Sequence, residues 1–297
     1  MREDAEYAQI IQRLEEHGEY RVLRRVQVQP TLTAVPVENT SVAAIVDVET
    51  TGLLRAEDSI IELSVRRVRF DREGKITKVD HAYSWLEAPP LPLSPDIIRL
   101  TGLTDEQLAG RTIDEEHAST LLRSADVIIA HNAAFDRPFV EARLPQTQGM
   151  PWACSCNDID WRRLGFEGKG LGWLLAQSGW FHAGHRAQAD VDATITLLRH
   201  ELPDGRTSLR VLIEAASQDG WIVRAAGASF DVKERLRERG YCWDAAAAVW
   251  CREVTDAELA AEKDWLQLHD YGLDCRSRAE GPLLERVTWR TRYSSPK

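Results

Sequence analysis

The sequence predicts a mixed α/β domain between Ser41 and about His200, followed by a small α+β module over residues 201–297. The β-branched run SVAAIVDVE is typical of a buried strand. Two further runs, SIIELSVRRVRFD and GKITKVDHAYSWLE, flank the turn DREG and predict an antiparallel pair. Helical patterns then alternate with the short apolar strand DVIIAH. Together these observations indicate one sheet flanked by helices.

The remaining elements follow from periodicity and from glycine and proline positions. Residues 1–40 predict an N-terminal helix and then an extended linker, QVQPTLTAVPVENT. In the α/β domain, helices are predicted in SPDIIRLTG, TIDEEHASTLLRSA, NAAFDRPFVEARL, GLGWLLAQSG and HRAQADVDATITLLRHEL. In the module, the predicted order is helix SLRVLIEAASQDG, strand WIVRAAGASF, helix DVKERLRERG, the Trp-flanked segment YCWDAAAAVWCREV, helix DAELAAEKDWLQLH and strand VTWRTRYS.

Composition and charge narrow the class of protein. The chain has 297 residues, of which 43% are hydrophobic and 28% are charged, as expected for a globular protein. No apolar run approaches the roughly 20 residues of a membrane helix, and the charged N-terminus lacks the apolar core of a signal peptide. We therefore expect a cytoplasmic protein without membrane contact. A net charge of -10 means that any phosphate-bearing substrate must be held by a few local basic groups or by bound cations.

The five cysteines favour reduced thiols. They are Cys154, Cys156, Cys242, Cys251 and Cys275, an odd number in a chain without a predicted signal peptide. No C-x-x-C pair is present, and one C-x-C pair is a weak zinc signature, so a structural zinc is the less favoured alternative.

The first predicted strand ends in two acids. Asp47 and Glu49 are two positions apart, so their side chains project from the same face of the strand. Two ionised carboxylates at this separation repel each other, and a divalent cation with hard oxygen ligands, such as magnesium or manganese, removes the conflict. The alternative is a strand end that emerges into water, where both acids are solvated.

Two later segments place further polar groups beside strand and helix ends. In HNAAFD, Asp136 lies one turn into a helix that follows a short strand. In HRAQADVDAT, His185 lies at the junction of a loop and a helix, and Asp190 follows five positions later. Taken singly, Asp136 is a typical helix-start charge, and the pair His185 and Asp190 is ordinary surface polarity.

Taken together, the three segments resemble the DEDD superfamily of 3′–5′ exonucleases, in the subclass with a histidine. This family includes the proofreading subunits of bacterial DNA polymerase III. The motifs D-x-E-T-T-G, H-N-A-x-F-D and H-x-A-x-x-D match residues 47–52, 131–136 and 185–190 without a gap and in the family's order. The resemblance implies a ribonuclease H-like mixed sheet and a metal-dependent 3′–5′ exonuclease that hydrolyses phosphodiester bonds.

The resemblance also implies a site for two divalent cations, Mg²⁺ or Mn²⁺. Asp47 would bridge the two ions, Glu49 and Asp190 would complete the first site, and Asp136 would support the second. His185 would act as general base and take a proton from the attacking water. The side-chain chemistry agrees, because two cations can stabilise both oxygens of an in-line displacement and an imidazole titrates near neutral pH.

A second histidine, His182, lies on the same loop as His185 and is an alternative base, although it lacks the motif register. Gly179 and Gly184 bound this loop and would allow it to move as substrate enters.

Residues that would contact the terminal nucleotide follow from the same resemblance. A histidine often stands in the family where this chain has Thr101, which leaves the sugar preference open. Turn chemistry or core packing is the alternative for each position. The predicted substrate-binding residues are Thr50, Thr51, Gly52, Leu53, Thr101, Gly102, Asn132 and Phe135.

Basic and aromatic residues give weaker indications. Arg162, Arg163, Lys169 and Arg186 flank the third motif and are candidates for phosphate contact. In the C-terminal module, Trp243 and Trp250 with nearby arginines could stack single-stranded bases, but core packing is the favoured interpretation.

Three functions are compatible with these observations. The favoured one is removal of nucleotides from the 3′ end of DNA, of the proofreading or repair type. The second is an exoribonuclease that trims short RNA. The third is a non-catalytic adaptor that binds nucleic acid or a polymerase through the C-terminal module. The presence of all five motif residues argues against the adaptor, though a polymerase or other protein partner remains compatible with the first function.

Overall fold

The computed structural model describes residues 2–31, 40–245, 247–271, 279 and 281–294. The chain forms two compact units, the first being Met1–Ala215 with Tyr293–Lys297, and the second Ala216–Arg292. Most of the predicted linker and Cys275 lie outside the described residues. The domain limits expected from the sequence, 41–200 and 201–297, stay a proposal.

The first unit contains helices on both sides of a central sheet and a separate two-stranded parallel pair, β1 with β7. Its elements are α1 (Arg2–Glu16), β1 (Arg24–Arg25), β2 (Ser41–Thr50), β3 (Ile60–Phe70), β4 (Ile76–Leu86), α2 (Pro95–Thr101), α3 (Asp105–Leu108), α4 (Glu115–Arg123), β5 (Val127–Ala130), α5 (Ala133–Arg143), β6 (Trp152–Cys154), α6 (Leu171–Gln177), β7 (Trp180–Phe181), α7 (Ala187–Leu198) and α8 (Ser208–Ala216).

The central sheet has five strands in the order β4-β3-β2-β5-β6. β4, β3 and β2 are antiparallel neighbours, whereas β2, β5 and β6 run parallel. The predicted DREG turn joins β3 to β4, and the Asp71 carboxylate accepts hydrogen bonds from the backbone N–H groups of Glu73 and Lys75. Gly74 is left-handed (φ 75°), and a Cβ there would lie 2.6 Å from the Arg210 nitrogen, so this turn requires glycine. The mixed α/β fold predicted from the sequence is confirmed.

The central position of β2 in the sheet explains why its sequence is a continuous apolar run. β2 has a strand on each side and helices over its faces, and Ala43–Val46 are all buried. One cluster joins β2 and β5 to α4 and α5 and includes Leu122, Val140 and the fully buried Trp152. α7 packs against β2 and β3. The predicted motif residues therefore lie on elements that pack into the core.

The parallel strands β2 and β5 bring the first two predicted motifs to one edge of the sheet. Ala43 pairs with Val127 and Ile45 with Ile129, so β2 and β5 run in the same direction and their carboxyl ends lie together. α5 starts at this edge, directly after β5. None of the helices in the described residues is long and apolar enough to cross a membrane.

The second unit is an antiparallel sheet with two helices. Its elements are β8 (Gly220–Ala225), α9 (Lys233–Glu238), β9 (Cys242–Asp244), β10 (Val249–Thr255), α10 (Asp256–His269) and β11 (Leu283–Val287), and the strand order is β11-β8-β10-β9. The predicted strand VTWRTRYS is wrong. The observed strand, Leu283–Val287, shares only Val287 with it, and the Thr288 carbonyl then accepts hydrogen bonds from the N–H groups of Thr291 and Arg292, which closes a turn.

The tryptophans of the second unit divide between core and surface. Trp221, Trp250 and Trp265 are partly buried and pack against the buried cluster around Val223. Trp243, on the edge strand β9, is 52% exposed and meets Trp250 edge-on, with ring centroids 5.5 Å apart. Core packing therefore accounts for Trp250 and leaves Trp243 largely in solvent.

Candidate metal centre

β2 carries Asp47 and Glu49 to the carboxyl edge of the sheet. Both acids are partly buried, and Val48 between them is buried, so the two carboxylates share one face as the alternation predicts. Glu49 lies opposite Glu62 of β3, and the register shifts between Glu49 and Thr50. The end of the strand therefore combines a pair of acids with a third acid on its neighbour.

α5 places Asp136 beside this pair. The helix begins after Asn132, which is left-handed with φ 89° and turns the chain out of β5. The Cys154 sulfur accepts a 3.3 Å hydrogen bond from the backbone N–H of Ala133, the first helical residue. The buried Asp136 carboxylate accepts a 3.2 Å hydrogen bond from the backbone N–H of Val48. Asp136 is thus attached to the backbone between the two acids of β2.

α7 brings the fourth acid. Asp190 lies in its first turn, and its Oδ2 accepts hydrogen bonds from the backbone N–H groups of His185 (2.9 Å) and Arg186 (3.3 Å). Its Oδ1 lies 2.8 Å from Nε2 of His182. The loop before the helix therefore folds back on the Asp190 carboxylate and fixes its orientation.

Three of these acids converge. One carboxylate oxygen from each of Asp47, Glu49 and Asp190 lies within 4.8 Å of the other two. Burial raises the pKa of Asp47 well above its usual range, and the Asp136, Asp190, Glu49 and Glu62 carboxylates add to the effect. Burial, then Asp190 and Glu62, raise the pKa of Glu49 to about 7. Burial is also the main cause of the raised pKa of Asp136.

This donor set fits a hard divalent cation. The donors are carboxylate oxygens, which such cations prefer, and they lie close enough to share one ion. Burial first, and then the neighbouring negative charges, raise the pKa values of Asp47 and Glu49, and a bound cation would favour the ionised carboxylates and displace the protons. The chemistry of the site therefore agrees with the metal site expected from the sequence.

The two histidines of the loop have different environments. His182 has a side chain only 9% exposed, and its ring contacts Asp190. His185 is exposed, contacts Asp190 through its backbone, and is left-handed with φ 65°. A left-handed residue other than glycine costs roughly 1–2 kcal/mol, and such strain is concentrated at functional sites. In the structure it is therefore the ring of the alternative base, His182, that contacts the acid cluster, through Asp190. The assignment of His185 as base stays a prediction.

His131, from the second motif, supports the same edge. Its Nε2 lies 2.9 Å from the Lys169 carbonyl oxygen and its Nδ1 lies 2.9 Å from the Ser155 hydroxyl. A carbonyl accepts only, so the ring carries its proton on Nε2, and burial lowers the pKa of His131, which favours this neutral form. The ring therefore connects the segment around Lys169 to the end of β6.

The predicted substrate-binding residues after β2 form a short loop. Thr50 is buried and its hydroxyl donates to the Gly52 carbonyl at 2.5 Å, and the Thr51 hydroxyl donates to Asp58 at 2.9 Å. Leu53 at the tip is 80% exposed. The hydroxyls hold the loop, and Leu53 is the side chain presented to solvent.

The remaining predicted contacts differ in exposure. Thr101 is 4% exposed, and its hydroxyl donates a 2.9 Å hydrogen bond to the Ile97 carbonyl of the same helix, α2. Gly102 caps that helix with φ 71°, and Asn132 is exposed. Phe135 is partly buried and packs on Phe139 with ring centroids 5.1 Å apart. Their roles in substrate binding stay predictions.

Sequence reasoning missed Glu62. It is buried, lies opposite Glu49, and accepts two hydrogen bonds from the Arg186 guanidinium. One feature of the sequence could have indicated this residue. Glu62 is a lone acid inside the apolar run SIIEL, and a buried carboxylate without a partner is costly. Its partner lies 124 positions away, which no local pattern indicates.

A separate cavity of about 760 Å³ lies after β6 and is lined by residues between Cys156 and Lys169. Arg162 and Lys169 line it together with Asp158, Asp160 and Glu167. The acids outnumber the bases, so this cavity is a poor match for phosphate, and its lining includes none of the four motif acids.

Comparison with known proteins places the chain in a family. A family model described as exonuclease (RNase_T) matches residues 44–198. The chain is 34% identical over 160 residues to the DNA polymerase III subunit epsilon of Treponema pallidum, covering 51% of this chain and 72% of that protein. It is 40% identical over 96 residues to the PolC-type DNA polymerase III of Bacillus subtilis, covering 32% of this chain and 6% of that protein.

Among solved structures, exonuclease X in complex with 5′-overhanging duplex DNA is similar to this chain. The TM-score is 0.40 at 23% identity, over 57% of this chain and 99% of that one.

The acid cluster at the edge of a mixed sheet and the family match define a nuclease that hydrolyses phosphodiester bonds. The chain belongs to the exonuclease family, with an exonuclease domain of the DnaQ-like type.

Proposed function

We propose that this protein removes nucleotides from the 3′ end of DNA, and that Asp47, Glu49, Asp136 and Asp190 hold two divalent cations, Mg²⁺ or Mn²⁺. The observation that carries the proposal is the convergence of the Asp47, Glu49 and Asp190 carboxylates within 4.8 Å, with Asp136 attached to the same stretch of β2. Four acids gathered from three distant motifs are difficult to explain without cations.

Each residue has a part in this proposal. Bound cations supply electrostatic stabilisation of the attacking and leaving oxygens of the phosphodiester. Asp47, Glu49 and Asp190 hold their positions through the strand and the loop, and Asp136 through its bond to the backbone of β2. His185 accepts the proton of the attacking water, in agreement with its exposure and its left-handed backbone.

DNA is the proposed substrate because of the relatives. The Treponema pallidum protein is named as a subunit of DNA polymerase III, and it is similar to this chain over 160 residues. The same relative supports a polymerase as partner, which we propose the second unit contacts. Short RNA is the alternative substrate and is distinguished by the experiment below.

The test is digestion of matched 3′-labelled DNA and RNA, single and double stranded, with Mg²⁺ and then Mn²⁺. We expect release of the labelled terminal nucleotide from DNA, and complete loss of release with chelator. Asp47→Asn and Asp190→Asn should abolish digestion and leave the circular dichroism spectrum unchanged, because each removes one charged ligand.

Specific outcomes would overturn the proposal. Cleavage of a closed circular substrate would contradict end-directed digestion. Equal digestion by native protein and by the Asp47→Asn variant would contradict the metal site. Faster digestion of RNA than of DNA would overturn the proposed substrate but not the proposed metal-dependent hydrolysis.

A further inference from the structure

One basic side chain, Arg186, lies beside the acid cluster and acts on Glu49. The negatively charged phosphodiester must approach Asp47, Glu49, Asp136, Asp190 and Glu62 in a protein with a net charge of -10. Among the neighbours that act on Glu49, Arg186 supplies positive charge and lowers its pKa, against the larger effects of burial, Asp190 and Glu62. Arg186 is thus a basic side chain within electrostatic reach of the metal ligands.

The Arg186 guanidinium is held in a fixed geometry. Its Nε and Nη2 donate to the two carboxylate oxygens of Glu62, both at 3.0 Å, and Glu62 also accepts from the backbone N–H of Ala187 at 3.2 Å. The Glu62 side chain is 3% exposed, so the acid is anchored inside β3. A planar, two-point pair of this kind fixes both the position and the plane of the guanidinium.

The pair differs from a purely structural ion pair in exposure. The Arg186 side chain is 48% exposed, although its carboxylate partner is buried. Nη1 takes no part in the bonds to Glu62, so the guanidinium can bond a second anion without releasing the first. Arg66, by comparison, is 3% exposed and directs its bonds into the core.

We propose that Arg186 binds a phosphate oxygen of the substrate beside the metal ligands, and that Glu62 is the positioning residue that holds it there. This inference rests on the proposed exonuclease function and adds a phosphate-binding residue to it. The phosphate would be that of the terminal nucleotide, because Arg186 directly follows the proposed base His185 in the chain and donates its backbone N–H to the proposed metal ligand Asp190.

The first measurement is calorimetric titration with thymidine 5′-monophosphate and with thymidine, in Mg²⁺. The two ligands differ only by the phosphate group. The dissociation constant of thymidine divided by that of the monophosphate, here called the phosphate ratio, therefore measures how much the phosphate contributes to binding. Arg186→Gln should reduce this ratio at least 10-fold and leave thymidine binding unchanged, whereas Arg186→Lys should retain part of it, since lysine keeps the charge but loses the two-point geometry.

The second measurement separates Glu62 from a general structural role. Glu62→Gln should reduce the ratio partly in native protein, and should cause no further loss in the Arg186→Gln background. The double variant Glu62→Gln/Arg186→Gln leaves no buried unpaired carboxylate, and so tests the phosphate contact even where Arg186→Gln alone is poorly folded.

A matched control exists at the far end of α5. Arg143 makes the same two-point pair with Glu87, at 2.8 Å through Nε and Nη2, about 15 Å along the helix axis from the start of α5. Arg143→Gln should leave the phosphate ratio and kcat/KM unchanged.

The outcomes distinguish the inference from the function on which it rests. Native protein that digests DNA, together with an Arg186→Gln variant of unchanged phosphate ratio, overturns the inference alone. An equal loss in Arg143→Gln also overturns it, because the effect would then be structural. Native protein that neither digests DNA nor binds the monophosphate overturns the exonuclease function itself.

Discussion

Asp47 and Glu49 bind protons more tightly in the folded chain than solvated carboxylates do. The pKa of Glu49 rises from 4.5 to about 7, mainly through burial, and the pKa of Asp47 is also raised. Between pH 4.5 and about pH 7, Glu49 therefore holds more protons in the folded state than in the unfolded state. The stability that Glu49 contributes through this shift is therefore present below about pH 4.5 and is lost as the pH rises through about 7.

This gives a prediction for metal and pH. In the proposed metal site Mg²⁺ would replace these protons, so the rise in thermal midpoint on adding Mg²⁺ to chelator-treated protein should be larger at pH 8 than at pH 5. Differential scanning calorimetry measures both increments. In the Asp47→Asn/Glu49→Gln variant the increment should be small at both values, and equal increments in native protein would contradict the assignment.

The two loop histidines make separable predictions. His185→Ala should slow digestion by about 10²–10⁴-fold at saturating Mg²⁺, the usual contribution of a general base. His182→Ala removes the ring that orients Asp190, so it should weaken Mg²⁺ affinity by about 10–100-fold. Digestion rates measured over a Mg²⁺ titration distinguish them, because added metal should rescue only His182→Ala. Rescue of His185→Ala instead would exchange the two roles.

The left-handed backbone at His185 can be tested by stability. Glycine adopts this conformation without strain, so His185→Gly should be more stable than His185→Ala by roughly 1 kcal/mol. Urea denaturation measures the difference. Equal stability of the two variants would mean that the strain is absent in solution.

At the scale of elements, α7 is attached to the sheet by a buried ion pair. Arg66 of β3 lies 2.6 Å from Asp192, with side chains 3% and 17% exposed, and also donates to the Val28 and Asp80 carbonyls. Asp192→Ala should lower the free energy of unfolding by about 3–5 kcal/mol, because it leaves a buried guanidinium without its carboxylate.

The control for this pair is an exposed one. Asp204 pairs with Arg206, and both side chains are nearly half exposed. Asp204→Ala should therefore change the free energy of unfolding far less than Asp192→Ala in the same denaturation experiment. A cost for Asp192→Ala no larger than for Asp204→Ala would show that Arg66 finds water or another partner.

The junction of β5 and α5 depends on one backbone conformation. Asn132 has φ 89°, which asparagine tolerates and alanine does not. Asn132→Ala should cost roughly 1 kcal/mol more than Asn132→Gly. At Ala134, which lies inside the helix, alanine is instead preferred over glycine. Ala134→Gly should lower the free energy of unfolding by about 1 kcal/mol. Urea midpoints of the three variants check both signs.

Local patterns predicted most elements because their causes are local. The apolar run of β2, the turn at Gly74 and the helix around Phe139 each follow from residues within one element. The four motif acids were found because a resemblance supplied their spatial relation. Glu62 and Arg186 were not paired in advance, since strand register and the packing of α7 decide that contact.

The error at the C-terminus has a different origin. VTWRTRYS has β-branched and aromatic residues typical of a strand, yet Thr288 begins a turn and the strand uses Leu283–Val287 instead. Pairing with β8 through Leu284 opposite Val223 decides the register there, and periodicity alone carries no information about that partner.

At the scale of the whole molecule, the last described residues belong to the first unit. Tyr293 donates its hydroxyl hydrogen bond to Asp158, and the Ser294 hydroxyl donates to Glu141 at 2.6 Å. A chain ended at Arg292 should lose roughly 1.5–3 kcal/mol per hydrogen bond to a charged group from the stability of the first unit. Loss of exonuclease activity with increasing urea reports that unit, and a chain ended at Ser294 is the control. Coincident curves would contradict the prediction.

Because Tyr293 and Ser294 follow the second unit in the chain, translation delivers them after that unit. Asp158 and Glu141 have left the ribosome long before their partners emerge, so the nuclease unit cannot make these two contacts until Ala216–Arg292 has been synthesised. A nascent chain arrested within the second unit would therefore carry a nuclease unit that lacks both contacts.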